Sequence, residues 1–198
     1  MDKRTLIDDA LSDPGVLIVF GGLPGAGKST IAEALAAQIG AVHLVIDRIE
    51  APLKARLGAD IGPLGYNVAY QVATSNLDLG HVVIADCVNP IAMTRNAWMS
   101  VAMGCQAKMV QVNIQCSDLQ EHRRRVEKRL TERPRQGLPD WQSVQARQID
   151  EWPEADLTID TYMRTPDESV SAIVSALRRL APSRFGADPF ARGVMGSG

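Results

Sequence analysis

Residues Val16 to Thr30 read Val-Leu-Ile-Val-Phe-Gly-Gly-Leu-Pro-Gly-Ala-Gly-Lys-Ser-Thr, and this stretch decides the fold. The first five residues are an uninterrupted apolar, β-rich run of the kind a strand buried on both faces requires. After Gly21, the segment Gly22-Leu23-Pro24-Gly25-Ala26-Gly27-Lys28-Ser29 fits the phosphate-loop pattern G-x-x-x-x-G-K-[ST] without a mismatch. Thr30 then opens Ile-Ala-Glu-Ala-Leu-Ala-Ala-Gln, a run of strong helix formers, so strand, glycine loop and helix stand in the order the motif needs. Glycines at 22, 25 and 27 let successive backbone N–H groups converge on phosphate oxygens, and the helix N-terminus adds its positive dipole end there. In this reading residues 22 to 30 bind the triphosphate, Lys28 reaches its outer phosphates and the Ser29 hydroxyl holds Mg2+. A glycine-rich turn that carried Lys-Ser by chance would lack the flanking elements.

At 198 residues the chain has room for one α/β domain with its own core. We read residues 1–182 as that domain and 183–198, rich in glycine and proline, as a loose tail. A net charge of −2 excludes wholesale attraction to nucleic acid or to an anionic membrane, so any basic site must be local. The three cysteines are odd in number and lack C-x-x-C spacing, which suits a reducing cytoplasm and small buried thiols. No apolar run approaches the about 18 residues of a membrane span, and the start of the chain lacks a signal-peptide core, so a cytoplasmic protein is expected.

Along the chain, residues 2–12 suggest a short helix, and Asp13-Pro14-Gly15 turns into the first strand. Gly40 is placed as a helix C-cap, and Ala41 to Ile46 reads as a second buried strand ending on Asp47. His43, inside that apolar run, reads as a core or edge histidine. Residues 51–62 suggest a short helix and loop, Gly62-Pro63-Leu64-Gly65 a break, and Tyr66 to Leu79 a helix stopped by Gly80. His81 to Ala85 is a third strand closing on Asp86, where a carboxylate could reach the shell of a metal ion held by Ser29. Asn89-Pro90 precedes a helix from Ile91 to Met103 that carries Arg95, and Ala107 to Ile114 is a fourth strand. Strands alternating with helices predict parallel β-α-β units: a five-stranded parallel sheet with helices on both faces.

Ser117, as N-cap, should begin a helix that runs through His122-Arg-Arg-Arg-Val-Glu-Lys-Arg-Leu-Thr-Glu-Arg133 to Pro134. Arg125, Arg129 and Arg133 share one face at i, i+4 and i+8. Such a face either clamps a triphosphate and stabilises the moving phosphoryl group or is a solvated, salt-bridged surface; beside a phosphate loop the first reading is preferred. Residues 123–140 would form an arginine-rich lid. A helix from Asp140 to Trp152, a short edge strand Leu157 to Thr161, and a helix from Thr165 to about Leu180 complete the domain; Thr165-Pro166-Asp167-Glu168 carries a capping box.

Gly22 to Ser29, Asp47-Arg48, the run Val-Val-Ile-Ala-Asp86-x-x-Asn89-Pro90 with Arg95, and the arginine segment 123–133 together resemble the small P-loop kinases of the AAA type. That group includes phage-type polynucleotide 5′-kinases, zeta-toxin-like kinases and chloramphenicol phosphotransferase. The resemblance implies ATP-dependent, Mg2+-assisted phosphorylation of a hydroxyl. By position it implies that Asp47 faces the acceptor hydroxyl and Arg48, Asp86 and Arg95 lie on the substrate side. It also implies that Arg129 and Arg133 are lid arginines, one near adenine and one near the transferred phosphate. The expected partners are ATP and a hydroxyl-bearing substrate, with nucleic acid less favoured and no membrane, in a monomer or homodimer. The acceptor is open at this point, and so is a nucleotide-binding module without transfer. A GTP switch is not favoured, because no N-K-x-D guanine reader occurs.

Overall fold

The structure is a computed structural model describing residues 14–58, 60–132 and 138–186. The apolar run is strand β1, Val16–Gly21, buried along its whole length. It is flanked by β3, Val82–Asp86, and β4, Lys108–Gln115, with β2, Val42–Val45, and β5, Leu157–Asp160, at the edges. The order is β2-β3-β1-β4-β5 and every pairing is parallel, as the alternation of elements predicts. Asp86 pairs in register with Phe20 on one side and Val45 on the other, so the carboxyl ends of β1, β2 and β3 meet there. Ligands of open parallel sheets bind at that edge.

The helices are α1, Lys28–Ile39, α2, Ile46–Leu57, α3, Leu64–Leu77, α4, Ala92–Gly104, α5, Leu119–Glu132, α6, Trp141–Gln145, α7, Pro166–Leu180, and α8, Pro182–Phe185. They cover both faces of the sheet, and the pleat of β1 divides its side chains between two cores. Val16, Ile18 and Phe20 pack with Ile31 and Leu35 of α1 and with Ile173 and Leu177 of α7. Leu17 and Val19 pack with Ala69, Ala73 and Leu77 of α3 and with Trp98 and Ala102 of α4. No helix among the described residues is long and apolar enough to cross a membrane.

Several local readings change. Strand β2 closes at Val45, so Asp47 lies in the first turn of α2 and not on the strand end. Helix α2 runs on through Pro52 to Leu57, and α3 starts at Leu64 immediately after Pro63. The cap of α5 comes from Asp118, whose carboxylate accepts the Glu121 N–H at 2.7 Å, because the Ser117 N–H is drawn to Asp160 at 3.0 Å. The helix predicted from Asp140 to Trp152 stops at Gln145; beyond it the Asp150 N–H donates to the Pro90 carbonyl at 2.8 Å, a partner outside any helix. The capping box at Thr165 is present in full. The helix expected over residues 2–12, Arg133 and Pro134, and the tail from 187 lie outside the described residues.

Candidate active site

The loop between β1 and α1 has the shape its glycines predict. Gly22 sits at φ 131° and donates its N–H to the Val88 carbonyl at 3.0 Å. A Cβ there would overlap the Ile114 carbonyl, so no other residue fits. Gly27 is the N-cap residue of α1; no side chain caps this helix end, and its first turn contains no acidic residue. The first N–H groups of α1 and the positive end of its dipole are therefore left for an anion. Lys28 is buried, and its ammonium donates to the Leu23 carbonyl at 2.9 Å. Burial pushes the Lys28 ammonium below its ordinary range against the pull of Asp86 and Asp47, with Arg129 adding to the lowering. These four charged side chains thus share one electrostatic neighbourhood.

Asp86 ends β3 and is buried. Burial pushes its carboxyl up, but the hydrogen bond with His43, the Lys28 charge and the Ser29 hydroxyl outweigh this and hold it below its ordinary value. The His43 Nε2 to Asp86 Oδ2 distance is 3.3 Å. A hydroxyl at Ser29 and a carboxylate at Asp86 form a pair of hard oxygen donors. No group of three or more His, Cys, Asp or Glu gathers among the described residues. That donor set fits Mg2+, which takes one or two protein oxygens and completes its shell with phosphate and water.

Asp47 and Arg48 are exposed at the start of α2, beside this edge. Helices α3 and α4 bring three aromatic rings together. Tyr70 lies edge-on to Trp98 with ring centroids 4.6 Å apart, Tyr66 lies 6.0 Å beyond Tyr70, and burial raises the Tyr66 phenol. Asn89 holds the turn after β3: at φ 46° it donates from Nδ2 to the Phe20 carbonyl at 2.8 Å.

The predicted arginines part company. Arg129 lines a cleft against the phosphate loop with Pro24, Gly25, Val126, Leu130, Leu138 and Pro139. Arg125 is bound to Thr161 through two nitrogens, at 2.8 and 3.1 Å, and Arg133 lies outside the described residues. Arg95, read as a substrate-side cation, is instead buried. Its Nη2 donates to the Glu151 carbonyl at 2.9 Å, and its guanidinium stacks 5.2 Å from the Trp152 ring centre. It anchors the segment of residues 150–152. The sequence reading missed His43, His122 and Thr161. A histidine two residues short of a strand end, next to a strand that ends in Asp, is the one signal that could have exposed His43.

A glycine loop at the carboxyl end of the central strand of a five-stranded parallel sheet, with a buried lysine and a Ser29–Asp86 pair, defines a protein of the P-loop nucleotide-binding class. A profile of the family described as AAA domain matches residues 17–153, and the chain belongs to that family. It is similar to a probable adenylyl-sulfate kinase of Halalkalibacterium halodurans, 30% identical over 166 residues that span 80% of this chain and 78% of that one. Among solved structures it resembles the APS kinase of Mycobacterium tuberculosis in complex with AMPPNP and APS, at 24% identity and TM-score 0.66 over 84% of this chain and 99% of that one. A gluconokinase from Sinorhizobium meliloti 1021 shares the fold at 20% identity and TM-score 0.61, over 86% and 95% of the two chains. The chain is a P-loop kinase with a hydroxyl acceptor. These relatives carry the names of adenylyl-sulfate and gluconate kinases; the resemblance read from sequence named polynucleotide, toxin and antibiotic kinases of the same group, and likened the lid arginines to those of adenylate, gluconate and shikimate kinases.

Proposed function

We propose that this protein transfers the γ-phosphoryl group of ATP to a hydroxyl of a small or nucleotide-like acceptor. The observation that carries this reading is the uncapped N-terminus of α1 at the phosphate loop, with buried Lys28 held to the Leu23 carbonyl and buried Asp86 at the end of the adjacent strand β3. Phosphoryl transfer asks a protein mainly for positioning and charge neutralisation. Residues 22 to 30 hold the triphosphate, Lys28 leaves its loop carbonyl for the outer phosphates, and Arg129 approaches from α5. Ser29 and Asp86 would hold Mg2+, which would supply charge neutralisation for the triphosphate. Asp47 orients the acceptor hydroxyl and takes its proton as the new O–P bond forms and the bond from the γ-phosphorus to the bridging oxygen breaks, releasing ADP. Arg48 lies one residue on, where it can meet an anionic acceptor.

Names among the relatives supply the first acceptors to try: adenylyl sulfate and gluconate. Incubation with γ-labelled ATP and a panel of these two, 5′-hydroxyl oligonucleotides, aminocyclitols and phenicols tests the proposal. Label in one acceptor class is the expected result. Tight ATP binding with no label transferred to any acceptor or to water would replace the kinase with a nucleotide-binding module.

A further inference from the structure

The phosphate loop is gripped from its outer side by groups that lie away from the phosphate cradle. Two of its carbonyls accept hydrogen bonds from side chains outside the loop and α1. His122, on α5, donates from Nε2 to the Pro24 carbonyl at 2.8 Å. Thr161, just after β5, has its hydroxyl 2.8 Å from the Ala26 carbonyl and 3.1 Å from the Gln115 carbonyl, and donates to the nearer. Each of these groups is held in turn. The Thr161 hydroxyl accepts from Arg125 Nη1 at 2.8 Å, Arg125 Nη2 donates to the Thr161 carbonyl at 3.1 Å, and Arg125 Nε is paired with Glu121 at 2.8 Å. The His122 ring meets Trp141 of α6 edge to face, with centroids 5.3 Å apart. His122 and Thr161 are both buried, although one is a histidine and the other a hydroxyl.

The geometry of the peptide unit gives these bonds a consequence. A peptide is planar and trans, so its C=O and N–H point in opposite directions. The Pro24 carbonyl shares a plane with the Gly25 N–H, and the Ala26 carbonyl shares one with the Gly27 N–H. Fixing each carbonyl outward therefore aims the following N–H inward, and neither N–H has an acceptor among the described residues. Glycine at φ 86° and 101° has little intrinsic preference to hold such planes, so the aim must come from outside the loop. Val126 adds contact, since it fills the space that a side chain at Gly25 would need.

We infer that His122 and the Thr161–Arg125 pair are positioning residues that preorganise the Gly25 and Gly27 amides for the triphosphate and tie the loop to α5, the helix that carries Arg129. The inference rests on the reading of residues 22 to 30 as the nucleotide site. Preorganised amides cost nothing to orient when the anion arrives; loose ones must be ordered by it.

The test uses the full chain and measures ATP affinity by calorimetry, together with the amide chemical shifts of 15N-labelled glycine. Thr161→Val and His122→Phe are each expected to weaken ATP binding about tenfold, roughly the worth of one buried hydrogen bond. Thr161→Ser and His122→Gln, which keep a donor, should restore affinity to within about twofold. In free protein Thr161→Val should move the Gly27 amide resonance more than that of Gly25, and His122→Phe the reverse. Arg125→Gln stands in should Thr161→Val fail to fold, and should shift Gly27 in the same sense. Folded Thr161→Val and His122→Phe proteins that bind ATP as the wild type does, or that leave both glycine resonances in place, overturn the inference. A different result separates the two readings: if the wild type itself binds no ATP, or Lys28→Ala binds it equally well, the nucleotide site is wrong.

Discussion

At the scale of single residues, the site contrasts groups placed for chemistry with groups that hold them. Asp47 is exposed in the first turn of α2 and belongs to the first kind. Asp47→Asn should leave ATP affinity as it is and lower turnover by roughly two to four orders of magnitude, read by comparing calorimetric binding with steady-state rates. Near-wild-type turnover would remove Asp47 from the mechanism. His43 belongs to the second kind, because its ring nitrogen lies 3.3 Å from the Asp86 carboxylate. His43→Phe is expected to raise the Mg2+ concentration needed for half-maximal ATP binding several-fold, while affinity measured in a chelator stays constant. Asp86 could be read from the sequence, since an apolar run closing on a carboxylate is a local pattern. His43 was harder to read, because its partner stands on a neighbouring strand and only the pairing of β2 with β3 gives its place near a strand end meaning. Arg95 failed for the same reason: its acceptors, near residues 150 and 151, are remote in sequence.

At the scale of elements, what was legible came from signals local to each helix or strand. The capping box of α7 is an example. Thr165 accepts the Glu168 N–H while Glu168 accepts from the Thr165 N–H, with Pro166 opening the helix. Thr165→Ala should cost about 1 kcal/mol, visible as a lower urea midpoint with an unchanged slope. An unaffected midpoint would mean that packing of Ile173 and Leu177 alone fixes the helix. The elements that were misread share a cause. The residues after Gln145 have helical composition, yet Trp152 is drawn against Gly21 and its indole N–H donates to Gln111 at 3.1 Å. Tertiary partners override local propensity there, as they do at Ser117.

At the scale of the whole molecule, one sheet serves two cores, and β1 contributes alternate residues to each. The cores should not melt separately. Trp98 is the largest fully buried side chain and sits in the core opposite α1. Trp98→Ala should cost about 3–5 kcal/mol, yet unfolding monitored by far-UV dichroism and by tryptophan emission should remain one coincident transition. Two separated transitions would show that the faces are independent. Because the parallel architecture arises from strands alternating with helices, the fold could be read from sequence far more fully than the site. The phosphate loop was visible as a contiguous motif; the groups that grip it are dispersed over α5 and the end of β5.

That dispersal has an implication for how the protein is made. Strand β1 is the earliest strand of the sheet to leave the ribosome, but its neighbours are β3 and β4, and the bond that anchors the Ala26 carbonyl comes from Thr161. The glycine loop is therefore translated well before the residue that fixes its Ala26 carbonyl. A nascent chain arrested before β5 would carry the complete motif and still lack the Thr161 contact that fixes the Ala26 carbonyl. Such long-range closure slows folding and prolongs the exposure of apolar β1 to chaperones and to aggregation. Full affinity for nucleotide would then report that synthesis has passed residue 161, whatever the motif at residues 22 to 29 suggests.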